Sequence, residues 1–413
     1  MAVEERSQSL AVGTALLERA RAVDASFQGR AGVLSAGYGP GDAYPVFVRR
    51  ASGAHVEDVD GNRYLDFLQG FGSVVLGHAD PQVSGAVTAA LADGIAPSLH
   101  LESQVTLAER LVRTVPGAEM AAFLKTGSDA TSLAVRLCRA YRKRDLVLRW
   151  GYHGWHDWCA PRPAGIPAEV RARTAVFTYN DAEGLVARLQ RDGDAVACVI
   201  MMPVEIDPPE PGFLEAVRAA CDHHGIPLVF DEVRTGFRLA LGGAQSHFGI
   251  AADLVCLSKA MANGHAISAV AGRRAIMQGM ADVSASSVFF RGADGFAAAH
   301  ATLDRLEGGA PYRRLWSLGQ ALSDGLARAA SEAKVPARPA GLPVMPFLRF
   351  DHGDPALDQA AMRTFCKAML KRGVLLHPAH HWFTCLAMTE EDIAGAVAAA
   401  RDAFAEVASA CVA

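Results

Sequence analysis

The chain has 413 residues, 51% of them apolar, with 40 basic against 44 acidic side chains and a formal net charge of -4. That length exceeds one ordinary core and predicts about two domains. The near balance of charge, with no run of one sign, gives nucleic acid and anionic membrane nothing to grip. The opening M-A-V-E-E-R-S leads into no apolar signal segment, and no stretch approaches the roughly 18 uninterrupted apolar residues that span a bilayer. Eight cysteines (138, 159, 198, 221, 256, 366, 385 and 411) are scattered without a C-x-x-C pair, and Cys198 and Cys256 sit inside apolar strands. This usage fits a reducing compartment and predicts a cytoplasmic protein with neither a disulfide framework nor a zinc site.

In chain order, an amphipathic helix is expected over about 8–24, followed by the loop G-Y-G-P-G-D-A-Y-P. Alternating segments around Asp60-Gly61-Asn62 predict a hairpin. Helical patterns follow near 81–93 and 101–114. From 120 to about 272 short apolar strands alternate with helices: M-A-A-F-L, D-L-V-L-R-W, T-A-V-F-T, A-V-A-C-V-I-M-M, P-L-V-F, D-L-V-C-L and A-I-S-A-V-A-G. That alternation predicts an α/β fold, a mostly parallel central sheet covered by helices. Helices near 311–333, 355–371 and 389–408, with strands between them, predict a smaller α+β domain. The boundaries expected are an N-terminal segment 1–55 contributing to the small domain, a large domain 56–300 and a C-terminal small domain 301–413.

One acid and one lysine stand just beyond buried strands: Asp231 in I-P-L-V-F-D-E-V and Lys259 in D-L-V-C-L-S-K-A-M-A-N-G. Such strands deliver side chains to the carboxyl edge of a parallel sheet, where open α/β folds bind ligands. A lysine with a lowered pKa can form a Schiff base with a carbonyl. Taken singly, each of the two has an ordinary structural reading as a surface or capping residue. In F-L-K-T-G-S-D-A-T-S a strand meets a helix through a tight turn, and free N–H groups beside Gly127 and the Ser128 hydroxyl suit a phosphate. Taken alone, an ordinary Ser or Asp helix cap is the favoured reading there. No P-loop and no G-x-G-x-x-G motif is present. In R-W-G-Y-H-G-W-H-D-W, Tyr152 stands at a strand end and can stack on a flat ring or join an aromatic cluster. His377, His380, His381, His223 and His224 lack metal-ligand spacing, so no metal is expected.

These pieces occur in the order phosphate turn, aromatic stacker, acid and lysine. With D-V-D-G-N-R-Y-L-D-F, G-H-A-D-P, F-D-E-V-R-T-G-F-R-L-A-L-G-G-A-Q-S-H-F-G and R-G-V-L-L-H-P-A-H-H-W-F, the chain resembles the class III, fold type I, pyridoxal-phosphate (PLP) aminotransferases. The resemblance runs from Tyr38 to the C-terminus and leans to the glutamate-1-semialdehyde aminomutase-like branch. It implies pyridoxal 5'-phosphate held as an internal aldimine by Lys259, with Asp231 at the pyridine nitrogen. Gly127 and Ser128 would bind the phosphate, Tyr152 would stack on one ring face and Val233 on the other, and His153 and Glu232 would support. It also implies a homodimer with its sites at the interface, small-molecule amino donor and carbonyl acceptor partners, and ping-pong transamination.

Three departures stand against this pattern. Met202-Pro203 replaces the family's Glu-Pro, so an acid near the site is expected to be missing. The segment S-S-V-F-F-R-G-A-D-G-F-A-A-A-H is short and lacks the Thr that relatives send to a neighbouring phosphate, with Ser286, Ser287 or Arg291 as substitutes. Ala36 occupies the position of the aminomutase's carboxylate-binding arginine, which speaks against that activity. A PLP mutase, lyase or decarboxylase without net transamination is the alternative reaction. Tyr38, Arg234, Arg291 and His381 are the candidate substrate contacts.

Overall fold

The computed structural model describes residues 9–28, 34, 37–38 and 42–412. The chain forms two compact units, Met1–Asp80 with Arg313–Ala413, and Pro81–Tyr312. The first unit begins with α1 (Ala11–Val23), whose leading N–H groups at Val12 and Gly13 are both taken by the Asp60 carboxylate at 2.8 Å. Strands β1 (Val48–Ser52), β2 (His55–Asp58) and β3 (Arg63–Asp66) form an antiparallel meander. The turn between β2 and β3 is closed by Asp58, whose Oδ1 accepts the N–H of Asp60 and of Asn62, and Gly61 supplies the positive φ that it needs.

In the second unit, helices α2 (Pro81–Ala92) and α3 (Glu102–Thr114) lead to β4 (Met120–Leu124), α4 (Gly127–Arg142) and β5 (Leu146–Trp150). There follow β6 (Thr174–Val176), α5 (Ala182–Asp192), β7 (Val196–Met201), α6 (Phe213–His223) and β8 (Leu228–Asp231). The unit closes with α7 (Gly243–Phe248), β9 (Leu254–Leu257), β10 (Ser268–Gly272) and α8 (Ala293–Leu306). The seven strands lie in the order β4-β10-β9-β8-β7-β5-β6, with β10 antiparallel to both neighbours and every other pair parallel. The mostly parallel sheet expected is therefore present, and β7, β8, β9 and β10 are buried at every residue. Helix α4 lays Ala130, Leu133, Ala134, Leu137 and Cys138 on Cys198, Ile200, Val229, Cys256 and Val270 of the sheet, the apolar stripe of a helix covering one sheet face.

The chain returns to the first unit through α9 (Ala310–Glu332), then β11 (Ala337–Leu342), β12 (Met345–Phe350), α10 (Pro355–Lys371), β13 (Val374–Leu375) and α11 (Glu390–Val412). Strand β13 pairs parallel with β3, so N- and C-terminal segments share one small sheet. That pairing holds residues 56–80 in the first unit, whereas α8 packs on α2 and α3 and keeps 301–312 in the second. The unit boundaries thus lie at Asp80 and Tyr312, displaced from the 55 and 300 expected. Among the described residues no helix is long and apolar enough to cross a membrane.

Candidate active site

The site lies in the second unit, at the carboxyl ends of β4, β5, β8 and β9. Beyond β4, Thr126 caps α4: its hydroxyl accepts the Asp129 N–H at 3.1 Å while the Asp129 carboxylate accepts the Thr126 N–H at 2.8 Å. The cap is thus Thr126, not the Ser or Asp expected, and the T-G-S-D spacing of a capping box could have shown it. This leaves the N–H groups of Gly127 and Ser128 and the Ser128 hydroxyl without partners among the described residues, at the positive end of a 16-residue helix. The cradle is tight. A Cβ on Gly127 would come 2.8 Å from Val233 Cγ1, and one on Gly154 would come 2.8 Å from Ser128 Cβ.

Beyond β5, Tyr152 is 61% exposed, a ring face open to a flat partner. The segment after it is pinned to α4: the Thr131 hydroxyl donates to the His153 carbonyl at 2.7 Å, the Trp158 indole N–H donates to Ser132 Oγ at 2.9 Å, and His156 Nδ1 meets the same hydroxyl at 2.7 Å. Trp158 stacks on the His153 ring with centroids 5.9 Å apart. His153 is itself buried, and its Nδ1–H donates to Asp231 Oδ2 at 2.7 Å. The other Asp231 oxygen accepts the Val233 N–H at 3.1 Å. The acid is therefore oriented from two sides. Sequence reasoning placed His153 in support without identifying this contact, and it missed Thr131, Ser132 and Trp158.

Glu232, next to Asp231, is buried and points elsewhere. It accepts from the Thr235 hydroxyl at 2.9 Å and from the N–H groups of Ala244 and Gln245, and burial pushes its carboxyl up to about 7 against those donors. Lys259 follows β9, and Asp231 pairs in register with Cys256 of that strand. The lysine backbone is left-handed at φ 47°, a strained setting for a side chain with a Cβ. Its amine has no partner among the described residues. Burial, reinforced by Arg234 and Arg238 and opposed by Asp231, lowers it from 10.5 to about 8.

Of the expected substrate contacts, Arg234 is mostly buried and already engaged: it donates to the Val204 carbonyl at 2.8 Å and pairs with Glu205 at 3.4 Å. Burial lowers its pKa while Glu205, Asp231 and Tyr179 raise it. Met202 packs against Gly151, whose Cβ would come 2.9 Å from Met202 Cγ. The expectation of a missing acid is corrected, since Glu205, three residues on, supplies one. Arg291 turns to the Ser98 carbonyl at 3.3 Å, Ser287 caps the turn at Phe289, and Ser286 is exposed. Tyr38 and His381 belong to the first unit. There Tyr38 is buried against Tyr44 at 5.0 Å, and its hydroxyl has no partner among the described residues. His381 is buried among the rings of His380 and Phe383. Ala36 lies outside the described residues.

These residues fit a phosphorylated aromatic aldehyde, with an open anion cradle, an exposed ring face, a fixed acid and an unpaired amine. The sequence profile of the family Aminotransferase class-III matches residues 38–404. The chain is 39% identical over 376 residues to the 3-aminobutyryl-CoA aminotransferase of Cloacimonas acidaminovorans, covering 89% of this chain and 91% of that one. It is 37% identical over 400 residues to a glutamate-1-semialdehyde 2,1-aminomutase of Syntrophobacter fumaroxidans, covering 89% and 92%. Among solved structures, the PLP internal aldimine form of the FumI protein of Sphingopyxis sp. MTA144 superposes with a TM-score of 0.91 at 32% identity, covering 97% of each chain. By its sequence and its fold type I architecture, this chain belongs to the class III aminotransferases.

Proposed function

We propose that the chain moves an amino group between an amine donor and a keto or aldehyde acceptor in two half-reactions, with Lys259 as the reactive amine and Asp231 as the acid serving the cofactor ring. The observation that carries this is the Lys259 amine, unpaired among the described residues, lowered to about 8, and one strand away from a carboxylate oriented by His153. When bound, pyridoxal phosphate supplies an aldehyde for amine exchange and a ring that accepts an electron pair. Gly127 and Ser128 would hold its phosphate, and Tyr152 and Val233 would flank its ring. Asp231, held by His153, would keep the ring nitrogen protonated. Lys259 Nζ, neutral in a large fraction of molecules near pH 8, would take the proton from the substrate carbon and return it.

With Arg234 drawn to Glu205 and Val204, we read the donor as an amine lacking a free carboxylate beside its amino carbon. A 3-aminoacyl thioester, the kind of compound named for the Cloacimonas relative, is the first to test. Addition of donor should bleach the visible absorbance of the loaded protein, and a keto acid should restore it. If no donor does so, the transamination reading falls to the mutase, lyase or decarboxylase alternative.

We further read the protein as a cytoplasmic homodimer. The cysteines described, all free and buried, support the compartment. Apolar side chains at Ile95, Leu99, Val288 and Phe289 stand exposed, and the Ala293 N–H to Ile95 carbonyl bond at 2.9 Å ties their two segments together. A second copy covering this patch fits the observation. A fully active monomer in light scattering would contradict it.

A further inference from the structure

Arg234 carries a full charge at a mostly buried position three residues past Asp231, and such a guanidinium persists only where acceptors meet it. Two of its acceptors come from one short segment. The Val204 carbonyl takes one N–H at 2.8 Å, and the Glu205 carboxylate stands 3.4 Å from another nitrogen. That segment is itself fixed, because the Tyr179 hydroxyl donates to the Pro203 carbonyl at 3.0 Å and its ring stacks on Trp150 with centroids 4.0 Å apart. Strands β8 and β9 are hydrogen-bonded neighbours, so Arg234 and Lys259 leave adjacent strand ends.

The charged groups acting on Lys259 are Arg234 and Arg238, which disfavour its proton, and Asp231, which favours it. Those acting on Arg234 are Glu205, Asp231 and Tyr179. Arg238 is fully buried and Asp231 nearly so, whereas the Glu205 side chain is 38% exposed. Glu205 is therefore the carboxylate of this set that a change at the surface can reach.

We propose that Glu205 is a positioning residue acting through Arg234: it draws the guanidinium towards the 203–205 segment and offsets its charge, and in this way governs how readily the Lys259 amine takes up a proton. The proposal rests on the reading of Lys259 as the reactive amine.

The test is the pH dependence of Lys259 acetylation in the full-length protein without added cofactor, read by peptide mass spectrometry after brief pulses of acetic anhydride. Wild type should show a midpoint near the value of about 8. Glu205→Gln removes one of the negative charges that offset Arg234 and should lower the midpoint by about half a pH unit, roughly threefold in proton binding. Arg234→Gln should raise it. In the Arg234→Gln background, Glu205→Gln should then change nothing further, the signature of action through the arginine. Should Glu205→Gln not accumulate as folded protein, Glu205→Ser reads the same shift. A shift that is absent, upward, or undiminished without Arg234 overturns the proposal. Failure of the underlying reading looks different: wild-type Lys259 would titrate like an ordinary lysine near about 10.4, and borohydride would fix no cofactor on it.

Discussion

Replacing Lys259 by Met should stabilise the cofactor-free protein, and by an amount that depends on pH. Met keeps the length and apolar contacts of the side chain without its charge. The folded chain lowers the lysine amine from 10.5 to about 8, chiefly by burial. Between those values the unfolded chain binds more protons than the folded one, so wild-type stability rises with pH across that window. Below about 8 the full penalty is present. At about 1.36 kcal/mol per pH unit the penalty is ~3 kcal/mol, less the part screened by solvent reaching this half-buried side chain. The variant should therefore exceed wild type by about 1–3 kcal/mol at pH 7, the advantage fading towards pH 10.5. Urea unfolding followed by far-ultraviolet circular dichroism at three pH values checks this. A difference that stays constant with pH, or a Met variant weaker than wild type at pH 7, would refute the burial argument.

Gly127→Ala pushes a methyl to within 2.8 Å of Val233 Cγ1, an overpacking that should cost about 1–2 kcal/mol of stability and weaken cofactor binding at least tenfold in a fluorescence titration. Unchanged affinity would remove the turn as the phosphate seat. Glu232, pushed up from 4.5 to about 7, binds a proton in the folded state that the unfolded chain releases. Wild-type stability should therefore fall as pH rises from 4.5 to 7 by an amount that Glu232→Gln abolishes, and equal thermal midpoint slopes for the two proteins would contradict this.

The strand-helix alternation of the second unit was legible because its strands are apolar at nearly every position, which only a sheet covered on both faces demands. Strand direction was not legible. S-A-V-A-G reads alike either way, and only its neighbours make β10 antiparallel. The unit boundary was hidden for a related reason: two residues of β13 pair with β3 from some three hundred positions away, and no local pattern announces that. Asp231, Lys259, Gly127, Ser128, Tyr152 and Val233 could be grouped from the sequence because each ends or follows a strand of the same sheet edge. Glu205 was not, since an acid in a proline-rich loop looks like any surface acid until its partner is seen. Arg234 reads as a free fork for a carboxylate, and the structure places it against Glu205 and the Val204 carbonyl instead.

The left-handed backbone at Lys259 has a consequence for how such a protein ages under selection. The conformation favours glycine or asparagine at that position by about 1 kcal/mol, so the chemistry and the local fold prefer different residues at one place. A laboratory lineage chosen only for heat resistance should drift to Gly or Asn there, and its reactive amine would be among the first things it lost.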